Sequence, residues 1–145
     1  MSRIVAACAA LIAVFVLSPA TADAANPMVK KINEVRRAHG VPPVRHASGL
    51  SQSSRSYARH LMRVNRFAHG ATNAGTRRFA SRGEIMALQR GWRTRRRAAI
   101  RAWLNSPSHR PILLSRKFRY AGAGVSRGGF GSGRSSIWVV RFGRR

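Results

Sequence analysis

Acid–base chemistry has few side chains to draw on in this 145-residue chain. It holds three acids against 28 lysines and arginines, with five histidines. The acids are Asp23, Glu34 and Glu84; the histidines are His39, His46, His60, His69 and His109. Proton transfer needs an imidazole or a carboxylate within reach of the reacting group, so any such step must come from this short roster. The acid shortage argues against a glycosidase pair, an aspartic-protease dyad and a calcium loop. Cys8 is the one cysteine and lies in the leading segment, so no thiolate nucleophile or thiolate metal site is expected. His109 sits in "RAWLNSPSHRPILL", Arg101 to Leu114, where a helix breaks at Pro107 and the histidine stands beside Arg110.

The elements that must position these residues follow from periodicity. Asn26-Pro27 reads as a cap followed by Pro at the first helical position. Met28, Ile32 and Val35 continue that helix, Gly40 ends it, and "VPPV" is a rigid connector. "SGLSQSSRSYARHLMRVN" forms a second helix with Ser48 able to cap it. Leu50, Ser54, Tyr57, Ala58, Leu61 and Met62 share its inner face. Asn65 to Arg82 reads as a long loop, the kind that carries function in small domains. "GEIMAL" is short and apolar, and "TRRRAAIRAWLN" is a third helix. Ile100 and Trp103 share a face of that helix, joined by Trp92 if it starts early enough. Trp103 and Trp138 are read as core, Trp92 as partly exposed. "FRYAGAGVS" and "SSIWVVRFG" read as strands, joined into a hairpin by "RGGFGSG". Gly122-Ala123-Gly124 opens no helix and so makes a weak dinucleotide signal. Helices first and strands later predict an α+β fold.

The leading segment reads as a signal peptide over residues 1–24. Arg3 is followed by an apolar run from Ile4 to Leu17 and two A-x-A sites, with cleavage after Ala22 or Ala24. The run is about 14 residues, short of the roughly 20 that span a bilayer. A single domain over 25–145 would remain, secreted to the extracellular side and held without disulfides. The formal net charge of +25 directs such a domain to anions: nucleic acid, cell-wall polymer, acidic polysaccharide or anionic lipid. Two arginine stripes at helical spacing are the candidate anion-binding surface: Arg55, Arg59 and Arg63, and Arg93, Arg97 and Arg101.

Four signatures occur in order: "INEVRRAHGVPPV", "FAH", "GEIMAL", and "WLNSPSHRPILL" running on to "FRYAGAGV". Together they resemble the CAP superfamily, the SCP or cysteine-rich secretory protein domain, in its bacterial secreted form. Asn33, Arg36, Phe67, His69, Gly83, Glu84, Trp103, Ser106, Pro107, His109, Arg110, Leu113 and Leu114 carry the match. The resemblance implies a three-layer α–β–α sandwich around a small antiparallel sheet. It also implies a central cleft with two histidines and two acids, in which His69, Glu84 and His109 fill three places. The chain departs from the pattern at Ile85, where the family usually has Asn. No acid follows Glu84, so the second acid has no candidate.

A site of His69, Glu84 and His109 supports two chemistries. The three could ligate a divalent metal such as zinc, leaving a fourth position for an acidified water and hence a zinc-dependent hydrolase. Alternatively, Glu84 bonds an imidazole or an arginine and shapes a cleft for a small or lipidic ligand. The second chemistry makes the chain a binding protein, and it is the favoured expectation. Ser106 is expected as a bonding partner at the helix end rather than as a nucleophile.

Overall fold

A computed structural model describes residues 26–70 and 78–145. The signal-peptide reading of residues 1–24, Cys8 with it, and part of the long loop lie outside the described residues.

Helix α1 spans Pro27–Ala38. Asn26 caps it: Oδ1 accepts from the Met28 and Val29 amides at 3.1 and 3.2 Å. The same side chain donates through Nδ2 to Ser51 Oγ and to the Ala123 carbonyl, at 3.0 and 2.9 Å. One residue thus starts a helix and ties it to the rest of the fold. Strand β1 is only Arg45–His46, and helix α2 runs Ser48–Arg63. The residue that caps α2 is Ala47, with no side-chain bond, and Ser48 is already helical. Strand β2 covers Ser81–Arg90, longer than the apolar hexamer alone suggests. Helix α3 is Arg96–Leu104 and the one-turn α4 is Arg110–Leu113. Strands β3, Tyr120–Phe130, and β4, Gly133–Arg144, form the expected hairpin.

The sheet order is β1-β3-β4-β2. β2 and β3 flank β4 antiparallel, but β1 lies parallel to β3, so the sheet is mixed rather than wholly antiparallel. The parallel edge is short: the Arg45 amide donates to the Arg119 carbonyl and the Ala47 amide to the Ala121 carbonyl.

Alternation along the strands separates two cores, one on each face of the sheet. On one face Ile85, Ala87, Trp138, Val140 and Phe142 pack with residues of α1, α3 and α4, including Ile32, Trp103 and Leu113. On the other, Met86, Ile137 and Val139 pack under Ala58 and Leu61 of α2. This is the three-layer α–β–α sandwich. The "GAG" of β3 belongs to it: a Cβ on Gly122 or Gly124 would fall onto the α2 backbone at Leu50–Ser51 or Ser54–Arg55. These glycines let helix and strand touch, and bind no nucleotide phosphate. Trp92 lies outside α3, in the turn after β2, and is 47% exposed, so it joins neither Ile100 nor Trp103.

Candidate functional site

The first signature is structural. Asn33 pairs with the Val44 backbone in both directions, Nδ2 donating to its carbonyl and Oδ1 accepting its amide, each at 2.8 Å. Arg36 is wholly buried and donates to the carbonyls of Pro42, Leu113 and Ser115 at 2.8–3.0 Å. Burial, with Arg119 nearby, lowers its pKa from the ordinary arginine value. This side chain sews the connector after α1 to the end of α4.

Glu84 lies near the start of β2, directly opposite Arg141 of β4. Strand alternation puts both on the α2 face, with Met86 and Val139. Arg141 Nε donates to Glu84 Oε2 at 3.0 Å, and its Nη1 donates to Ser53 of α2. Its guanidinium also stands 4.9 Å from the centroid of the Tyr57 ring. Glu84 Oε1 takes His69 Nδ1 at 2.9 Å. Both carboxylate oxygens are therefore engaged, and their side chain is only 9% exposed. Tyr57 donates to the Ala68 carbonyl at 2.8 Å, which fixes the chain just before His69. Burial, reinforced by Glu84, raises the Tyr57 pKa above its ordinary 10.0, so the phenol stays a donor.

His109 approaches from the turn between α3 and α4. Its ring centroid is 6.1 Å from that of His69, tilted by 38°. Ser106 Oγ bonds His109 Nδ1 at 2.8 Å, which sets the ring's orientation, and accepts the His109 amide at 3.4 Å, the backbone bonding expected of this serine at the helix end. Burial first, and then the neighbouring His69, lower the His109 pKa from its ordinary 6.5. This imidazole is neutral at neutral pH.

His69, Glu84 and His109 thus gather at one edge of the sheet, but as a chain of contacts. His69 joins Glu84, and His109 faces His69 while bonding Ser106. Among the described residues no three His, Cys, Asp or Glu side chains form a group able to hold a metal. The donor set does not fit a three-ligand zinc centre with Glu84 as a ligand, because Arg141 and His69 already hold its oxygens. Both rings are held through Nδ1, so Nε2 is the nitrogen either could offer to a ligand.

The other histidines stand apart. His39 closes α1, with Nδ1 against the Val35 carbonyl at 2.9 Å. His46 Nε2 meets Ser51 Oγ at 2.9 Å, and His60 pairs with Arg63 on α2. Glu34 pairs with Lys31 on the exposed side of α1. Arg141 is the site residue missed in the sequence reading, where a buried glutamate paired with an arginine was foreseen only in general. The signal was a single charge inside the apolar run "IWVVRFG".

The sequence pattern of the cysteine-rich secretory protein family, CAP, matches residues 29–142. The chain belongs to this family. A relative, "Uncharacterized protein YkwD" of Bacillus subtilis, is 27% identical over 124 residues. That match covers 79% of this chain and 45% of YkwD, so the chain spans under half of that relative's length. An outer surface protein of Borrelia burgdorferi shares 25% identity at a TM-score of 0.66, covering 81% of this chain and 90% of that one. An extracellular SCP-domain protein of Bacillus anthracis superposes at a TM-score of 0.67 with 23% identity, over 81% of this chain and 39% of that one. CAP proteins are often extracellular, and among the described residues no helix is long and apolar enough to cross a membrane.

Proposed function

We propose that this CAP domain is a secreted binding protein whose basic surface takes anionic partners, with His69, Glu84 and His109 shaping a recess for a small or lipidic ligand. The observation that supports binding over catalysis is the state of Glu84. Both of its oxygens are committed, one to His69 and one to Arg141. A carboxylate so held is a poor general base, because taking a proton would break the pairing with a buried guanidinium. The formal charge of +25 supplies the attraction for anions. The test titrates the purified domain with single-stranded DNA, heparin and anionic vesicles over a salt series. Affinity is expected to fall steeply and linearly in log salt; binding indifferent to salt would overturn the reading.

A second reading, a zinc-dependent hydrolase, is favoured by one feature. Two imidazoles face each other, and His109 is held neutral, the form that ligates a metal. In that arrangement Glu84 would orient His69 from behind instead of ligating. Zinc, when bound, would supply Lewis acidity; this chain's residues hold and orient the two rings. Zinc calorimetry at pH 7.5 on the wild type, His69→Ala and His109→Ala decides it. Uptake lost in both variants supports a metal site; no uptake removes the hydrolase.

A further inference from the structure

At the end of the sheet away from Glu84, basic residues surround a groove and an exposed indole. The groove lies between α1 and the start of α3 and has a volume of about 520 Å³, a size typical of ligand clefts. Five cationic residues line it: Lys30, Lys31, Arg95, Arg96 and Arg97. Its one acid, Glu34, is already paired with Lys31. Pro27 and Thr94 complete the wall, and Thr94 accepts from Arg127 of β3 at 3.2 Å.

Two residues before Thr94 along the chain comes Trp92, with the Arg134 guanidinium 5.3 Å from its ring centroid. The turn that carries the indole is pinned on both sides. The Gly91 amide donates to the Arg134 carbonyl at 2.7 Å, with Gly91 at φ +88°. The Gln89 side chain clamps the Arg95 backbone, donating to its carbonyl at 2.9 Å and accepting its amide at 3.1 Å. A large aromatic held half in water on a rigid turn does not serve a core. The cationic groove and this nearby stretch of chain together offer what a single strand of nucleic acid requires: charges to track phosphates and a planar ring to stack a base.

Resting on the reading that this domain binds anionic partners, we infer that the groove lined by Lys30, Lys31, Arg95, Arg96 and Arg97, together with the exposed Trp92 two residues before its Thr94 wall, binds single-stranded nucleic acid. Arginine suits phosphate because its fork bonds two oxygens at once. Trp92 favours a strand, whose bases offer flat π-faces to stack, over a polyol phosphate, which has none.

The test follows a fluorescein-labelled oligothymidine by anisotropy across a salt series, together with the protein's own tryptophan fluorescence. Trp103 and Trp138 are buried, so quenching by a stacked base reports Trp92. The wild type is expected to bind, to quench and to weaken steeply with salt. Trp92→Ala should lose the quenching and on the order of tenfold in affinity with its salt slope unchanged. Arg96→Ala with Arg97→Ala should lower the slope by about 1.4. Trp92→Ala binding as tightly as wild type overturns the inference. So does heparin bound as tightly and with the same dependence on Trp92. Binding that survives the groove variants but is lost in Arg55→Ala/Arg59→Ala/Arg63→Ala overturns this location and leaves the anionic reading standing. Failure of the wild type to bind any polyanion overturns both.

Discussion

Glu84 and Arg141 are cross-strand partners whose charges are nearly out of water, with side-chain exposures of 9% and 5%. Replacing only one leaves the other buried and unpaired, which typically destabilises by about 3–5 kcal/mol. Glu84→Gln is therefore expected to lower the urea midpoint sharply, and Glu84→Gln with Arg141→Met to recover part of the loss. A loss in the double variant equal to the sum of the two single losses would mean that the pair is not coupled. His69, with its side chain 58% exposed, should matter less: His69→Ala is expected to fall within about 1 kcal/mol of wild type. His109 sets a pH dependence. Its folded-state pKa lies below the ordinary 6.5, so just below that pH the unfolded chain takes up a proton that the folded chain refuses. Stability should thus fall as pH drops from 7 towards 5, and His109→Gln should flatten that part of the urea-midpoint profile.

Helix α2 and strand β3 meet backbone to backbone. Gly122 and Gly124 face the α2 backbone itself, which cannot rotate away as a side chain can. Gly122→Ala must lift the helix, with an expected loss of about 1–3 kcal/mol, at the upper end because backbone blocks the new methyl. Gly129→Ala, on the same strand with nothing within 4 Å of the added carbon, is the matched control and should denature close to wild type. Lifting α2 also moves Ser53 and Tyr57, both of which hold Arg141. Gly122→Ala should therefore weaken the site as well as the core.

In the whole molecule, the sandwich splits the basic surface. Arg55, Arg59 and Arg63 lie exposed on the α2 layer, while Arg97 and Arg101 lie exposed on α3, across the sheet, with Arg93 in the turn before it. The two stripes are therefore not one continuous footprint. Substituting either set by alanine should lower the salt slope of polyanion binding by about one for each arginine that touches a phosphate. A short oligonucleotide should respond to the α3 side, and a long polymer to both.

Fold class and most of the elements were legible in the sequence. Capping at Asn26, the helical spacing of Met28 and Ile32, and the strand runs around Trp138 are local signals, and local geometry obeys them. The family resemblance carried by the signatures around His69, Glu84 and His109 implied that these residues would meet; motif order alone says nothing of contact. Which contacts those residues make was decided only in three dimensions. The register of β2 against β4 sets Arg141 opposite Glu84, and that pairing occupies the carboxylate that a metal centre would need. Trp92 lies at a helix boundary, where periodicity fades, and only the turn held by Gly91 and Gln89 placed it outside α3. The mixed sheet turns on two residues of β1, too few to leave a period in the sequence. Charge was legible as a sum, but its division between two faces follows from the packing of α2 and α3 on opposite sides of the sheet.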